Sequence, residues 1–157
     1  MTDLKRLLEM ALRSEIDSRD IYKKASEMTK NALLKEKFNF LSREEEKHRI
    51  MIENMIKMKF PNEDINIPES TEVPLPRITV TEKDPISKLL SQAMNAEEET
   101  SKFYANIAKQ LDDENASLMQ YLSSIEMSHY YFLRAERDLA LKFENYDQYF
   151  EMMHVGP

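Results

Sequence analysis

The feature that most constrains this chain is a duplication that carries acidic residues into apolar helix faces. Ala11-x3-Glu15-x6-Tyr22 recurs as Ala93-x3-Glu97-x6-Tyr104 at an offset of 82 residues, and Leu41-x3-Glu45-x2-His48 recurs as Leu122-x3-Glu126-x2-His129 at an offset of 81. Self-similarity of this kind marks a repeated structural unit, here a helical hairpin used twice. Alternating steps of four and three residues keep one face of a helix turned to a bundle axis. On the first helix that face reads Leu4, Leu8, Ala11, Glu15, Ser18, Tyr22, Ala25, and on the third Ile86, Leu90, Ala93, Glu97, Thr100, Tyr104, Ile107. The second gives Phe38, Leu41, Glu45, His48, Ile52, Met55, and the fourth Met119, Leu122, Glu126, His129, Leu133. Four carboxylates and two imidazoles are therefore aimed at one core.

Composition supports helices. Glycine occurs once, at Gly156, while Leu, Glu, Lys, Met and Ala are plentiful, which disfavours sheets joined by tight turns. The spacing predicts helices over about 4–28, 31–58, 85–111 and 115–143, with Thr2 or Asp3 capping the first and Asp84-Pro85 opening the third. A small terminal helix is expected over 146–154. Pro61, Pro68, Pro74 and Pro76 mark residues 59–84 as an extended connection, within which 73–81 suit a short strand. Two short turns and one connection of about 26 residues, where about 2–8 suffice for neighbouring helices, predict an all-α four-helix bundle with up-down-down-up topology and one long crossover. At 157 residues the chain is expected to form a single domain, 1–157, large enough to bury a core without staples.

The chain has no cysteine, which removes thiolate metal sites, iron–sulfur clusters, thiol catalysis and disulfides. The N-terminal stretch has no continuous apolar run, since Lys5, Arg6 and Glu9 interrupt Leu4, Leu7 and Leu8, and no segment approaches the roughly 20 apolar residues that span a bilayer. The expectation is a cytoplasmic protein. A formal charge of −7 spread along the sequence argues against nucleic acid or a membrane as partner.

Four carboxylates buried together without counter-charge repel one another and lose several kcal/mol of hydration each. Two divalent cations with two neutral imidazoles bring the set to zero net charge. Oxygen and nitrogen donors without sulfur suit iron, manganese or zinc, and mixed carboxylate–imidazole sets are typical of non-haem iron. The predicted metal ligands are Glu15, Glu45, His48, Glu97, Glu126 and His129. One Glu-x-x-His on a helix means little, but two of the three histidines carry it, in duplicated register. Glu44, Glu46, Glu98 and Glu99 are expected on flanks facing water, and His154 on the surface. Tyr22 and Tyr104 lie about two turns beyond the helical glutamates; they can serve as core residues and as hydroxyl donors that orient ligand carboxylates and offer protons. The eleven methionines read as core filler.

From Leu4 to Phe143, the paired Glu-x6-Tyr and Glu-x-x-His signatures resemble the rubrerythrin-type branch of the ferritin-like superfamily. The resemblance implies two iron ions bridged by Glu45 and Glu126, with Glu15, His48, Glu97 and His129 as terminal groups. It also implies homo-oligomers, dimers favoured, and reduction of hydrogen peroxide or dioxygen, with protection from oxidative stress as the role. Rubrerythrins proper carry a rubredoxin-like domain with cysteine-bound iron, so here the electrons are expected from a separate donor protein such as a rubredoxin. Peroxide-reducing members also tend to have a further carboxylate one turn after the third-helix glutamate, where this chain has Thr100. A ferroxidase that takes iron as substrate is the alternative enzyme. A structural or interaction bundle around a redox-silent metal is the alternative outside enzymes.

Overall fold

A computed structural model describes residues 3–81 and 83–154, with side chains described as far as Glu144. Four helices follow one another: α1 (Leu4–Met28), α2 (Ala32–Lys59), α3 (Ile86–Ala108) and α4 (Asp113–His154). Several boundaries have a local cause. The Asp3 carboxylate accepts from the Lys5 amide at 3.0 Å, and the Asn31 side chain accepts from the Leu34 amide at 3.1 Å, each satisfying an amide left open in a first turn. The Phe60 amide makes the last bond of α2, to the Ile56 carbonyl at 2.8 Å, before Pro61 ends the ladder. Asp112 caps α4 by accepting from the Asn115 amide at 2.9 Å, and Asp113 and Glu114 place negative charge at its positive end.

The third helix begins differently from the expectation. Pro85 occupies the cap position rather than the first helical one, and no side chain next to it caps the helix. Asp84 instead accepts from the Thr81 amide and from Lys88 Nζ, at 3.2 and 2.9 Å. The cap comes from far along the chain: Glu144 on α4 accepts from the Ser87 amide at 3.1 Å and from Ser87 Oγ at 2.7 Å.

Contacts between helices fix the topology. Lys59 at the end of α2 pairs with Glu114 at the start of α4, and Lys37 near the start of α2 with Glu136 further along α4, both at 2.9 Å, so these two helices are antiparallel. One apolar cluster joins Leu8 and Leu12 at the start of α1 to Tyr104 and Ala108 at the end of α3; a second joins Tyr22 and Ala25 to Leu89, Leu90 and Ala93. Thus α1 and α3 are antiparallel as well. With a three-residue turn between α1 and α2 and a four-residue turn between α3 and α4, the order is up-down-down-up. The fold is the all-α ferritin-like four-helix bundle.

Residues 60–85 make the crossover along the α1–α3 face of their own chain. Its polar groups, backbone and side chain, find partners on those helices instead of a strand. Thr71 Oγ1 donates to the Met10 carbonyl at 3.0 Å, the Asn66 amide donates to Glu9, and the Thr79 amide donates to Gln92 Oε1 at 3.1 Å. The strand expected over 73–81 does not form; among the described residues no second extended segment offers it a ladder. The separate terminal helix expected over 146–154 is also absent. α4 continues unbroken through 42 residues, because no proline or glycine interrupts it before Gly156. The side chain of His154 lies outside the described residues.

The expected stripes are buried through the middle of each helix; Leu4 and Ile86 at helix starts are half-buried, and on α3 the stripe passes from Tyr104 to Ala108, leaving Ile107 half-buried. On α2 the stripe passes from Ile52 to Ile56, both fully buried, while Met55 is only half-buried. After a run of 3.5-residue steps the 3.6-residue helix has rotated far enough to bring the next residue inward. No helix among the described residues is long and apolar enough to cross a membrane.

Candidate metal centre

The two apolar clusters leave a polar layer between them at mid-bundle. On one side lie Leu8, Ala11, Leu12, Ile52, Ile56, Met119 and Leu122, and on the other Tyr22, Phe38, Leu41, Leu90, Ala93 and Leu133. The layer holds Glu15, Glu45, His48, Glu97, Glu126 and His129, all buried, with the four carboxylates at 2–3 % exposure. Helical register explains this placement: each of the six continues a stripe whose neighbours toward one or both helix ends are buried apolar residues, as Ala11 before Glu15 and Leu41 and Ile52 around Glu45 and His48.

The six side chains converge as two overlapping groups of four. Glu15, Glu45, His48 and Glu126 each bring a donor atom within 4.8 Å of the others, as do Glu45, Glu97, Glu126 and His129. Glu45 and Glu126 belong to both. His48 Nδ1 lies 3.7 Å from Glu15 Oε2 and 3.8 Å from both Glu45 Oε2 and Glu126 Oε1. His129 Nδ1 lies 3.6 Å from Glu97 Oε2 and 3.8 Å from Glu45 Oε1. Glu45 thus turns one oxygen to each imidazole. The rings stack with centres 5.0 Å apart and planes 10° from parallel.

Separations of 3.6–3.8 Å exceed a hydrogen bond. They match the spacing of two ligands on one ion, since donors each about 2.0–2.2 Å from a shared metal stand roughly 3–4 Å apart. Glu15 Oε2 and His129 Nδ1 are fully buried without any hydrogen-bond partner, as ligand atoms are when their cation is set aside. The donor set, carboxylate and imidazole without sulfur, fits iron, manganese or zinc.

Residues 6–137 match the rubrerythrin family. The chain belongs to the rubrerythrin family. A hypothetical protein from Pyrococcus furiosus has a similar solved structure, 33 % identical, covering 90 % of this chain and 92 % of its own, with a TM-score of 0.68. No curated protein matches the chain.

In this rubrerythrin-family chain burial favours the protonated form of three of the four inner carboxyls. Burial raises the Glu15 carboxyl to about 7, helped by the charge of Glu97 and opposed by Glu45 and Glu126 as proton donors. Burial also drives Glu45 well above the ordinary carboxylate value, with the Glu15 charge next, and Glu126 likewise, with Glu97 next. Glu97 is the exception: burial pushes it up, but Glu126, the nearby His129 ring and the Tyr22 hydroxyl together hold it below its usual value. Burial disfavours the charged ring of His129, yet Glu97 foremost, then Glu45 and Glu44, raise it. A buried carboxyl without a counter-charge discharges itself by protonation, so protons compete with cations for these ligands.

The tyrosines cross the bundle. Tyr22 Oη on α1 donates to Glu97 Oε1 on α3 at 2.9 Å. Tyr104 Oη is buried without a partner, although Glu15 is the carboxylate whose charge acts on it most. Burial holds both phenols well above their ordinary value, so both stay protonated donors. Beside the carboxylates, Ser18, Tyr22, Thr100 and Pro76 of the crossover enclose a cavity of about 10 Å³, room for about one water molecule. Thr100 Oγ1 shares its proton between the Pro74 and Ala96 carbonyls, at 3.1 and 2.9 Å, tying the crossover down over this cavity.

Of the flanking glutamates, Glu46 is engaged by Arg19 and Arg49, both at 2.6 Å, Glu98 pairs with Lys102 at 2.8 Å, and Glu99 is exposed. Glu44 departs from expectation. Its side chain is only 21 % exposed and it approaches both histidines. Its position one turn before His48 was the available signal, because residues four apart share a helix face.

Proposed function

We propose that this chain is a di-iron oxidoreductase that reduces hydrogen peroxide or dioxygen with electrons delivered by a separate donor protein. The observation that carries the reading is the pair of buried four-donor groups sharing Glu45 and Glu126 in a rubrerythrin-family core. Glu15, Glu45, His48 and Glu126 would hold one ion, and Glu45, Glu97, Glu126 and His129 the other. When bound, iron supplies one electron per ion, so a pair balances the two electrons that turn hydrogen peroxide into two waters. The protein contributes position, exclusion and protons. Glu97 is held below its usual value by Glu126, His129 and, last, Tyr22, whose hydroxyl also fixes one of its oxygens, which would orient the carboxylate toward a cation. Two protons must accompany the two electrons, and the neutral hydroxyls of Tyr22 and Tyr104 stand beside the carboxylates to relay them. The apolar clusters on either side exclude bulk water, and the small cavity under Pro76 favours a small oxidant over an organic hydroperoxide.

The test is anaerobic loading with ferrous iron followed by stoichiometric hydrogen peroxide. Two irons oxidised per peroxide, with a near-ultraviolet band from the ferric pair, are expected. Peroxide loss no faster than with metal-free protein would sink the proposal. Ferric iron released into solution would favour a ferroxidase instead, and a chain purified with zinc and lacking the band would favour a structural metal.

A further inference from the structure

Both imidazoles turn Nδ1 toward the inner carboxylates. A ring that uses Nδ1 as a metal ligand keeps its proton on Nε2, and the group standing behind the ring can accept that N–H and fix the tautomer. For His129 that nitrogen faces Glu44 Oε2 at 3.9 Å. Glu44, His48 and His129 bring one donor atom each within 4.8 Å of one another, so the same carboxylate borders both rings.

We propose that Glu44 is a positioning residue for the two histidines, accepting the outer ring N–H of His129 and, through the stacked pair, fixing the orientation of His48. The proposal rests on the reading that the six inner residues hold metal. At 3.9 Å the contact is longer than a hydrogen bond, and a shift of about 1 Å by a half-exposed side chain closes it. The two oxygens of Glu44 are already divided in the required way. Oε1 takes Lys47 Nζ at 3.1 Å on the solvent side, and Oε2 points inward. Because the rings lie 10° from parallel at 5.0 Å, holding one limits the tilt of the other. A carboxylate behind a ligand imidazole also makes the ligating nitrogen a stronger donor, which is why such partners commonly contribute about 10–100-fold to metal affinity.

Glu44→Ala and Glu44→Gln in the full chain, loaded anaerobically with cobalt(II), test this. Glu44→Ala is expected to bind cobalt about 10–100-fold more weakly in chelator competition, while its metal-free melting temperature stays near that of the wild type. Glu44→Gln is expected to recover most of the affinity, because the amide oxygen accepts the same N–H. In the cobalt-loaded wild type a shifted imidazole N–H resonance should exchange slowly with solvent, and in Glu44→Ala it should be lost. Wild-type affinity and slow exchange in Glu44→Ala, or a Gln variant as weak as Ala, overturns the positioning role alone. A wild-type chain that takes up no cobalt overturns the metal-centre reading with it.

Discussion

Tyr22 and Tyr104 hold equivalent places in the two halves, yet of the two only Tyr22 has a hydrogen-bond partner among the described residues. Their substitutions should therefore differ. Tyr22→Phe removes a donor from a buried, ionised Glu97 and is expected to cost about 1.5–3 kcal/mol in urea unfolding of the metal-free protein. Tyr104→Phe removes a hydroxyl that is already unsatisfied, so stability should be unchanged or raised. Equal losses would mean that the two halves are equivalent after all. Glu45 and Glu15 differ in a second way. Glu45 belongs to both donor groups and Glu15 to one, so Glu45→Ala should abolish loading of the pair, whereas Glu15→Ala should chiefly weaken one ion. Metal content per chain after dialysis separates the two outcomes. The residue identities were readable from the Glu-x-x-His and Glu-x6-Tyr spacings. The crossing of Tyr22 to the glutamate of the opposite half was not, because periodicity within one helix carries no information about which neighbour a side chain meets.

Among the elements, α3 shows how a local signal can be overruled. Asp84-Pro85 reads as an acidic cap before a first-turn proline, but Asp84 is drawn to Thr81 and Lys88, and Glu144 from the far helix meets the Ser87 amide and hydroxyl. Glu144→Ala should accordingly cost about 0.5–2 kcal/mol, the range for losing a cap. Faster hydrogen exchange at the first amides of α3 should accompany the loss. Unchanged stability and exchange would show that solvent caps the helix equally well. The same contact explains why α4 is longer than its partners: its segment as far as Glu144 packs on the start of α3, with Ala140 buried there. At 1.5 Å per residue its 42 residues extend roughly 63 Å, against roughly 38 Å for the 25 residues of α1. The stop signals near residue 143 were absent, and the expected break at that point had no physical cause.

For the whole molecule, the protonated centre predicts opposite pH responses with and without metal. Glu15 is raised from 4.5 to about 7, Glu45 and Glu126 are raised well above their ordinary value, and His129 is raised from 6.5, so above pH 4.5 these groups make a folded chain without metal hold more protons than the unfolded one. Stability from these groups is complete below pH 4.5 and falls as the pH rises through about 7. Glu97, Glu46 and Glu53 are lowered from 4.5 and act below that window. The melting temperature of the metal-free protein should therefore drop by several degrees between about pH 5 and 8, whereas the loaded protein should gain stability toward neutrality as protons stop competing for the ligands. Thermal melts with and without chelator check this, and a metal-free protein that stabilises with rising pH contradicts it. The helix count, the long crossover and the six inward polar residues were all legible from residue order, because helical periodicity assigns each residue to a face and proline marks where helices stop. Three matters needed the packed chain: which carboxylate borders both imidazoles, which tyrosine is satisfied, and that protons as well as cations can quiet the acidic core. Each depends on distances between helices, set by how four side-chain surfaces interlock, and no spacing along one strand of residues encodes them.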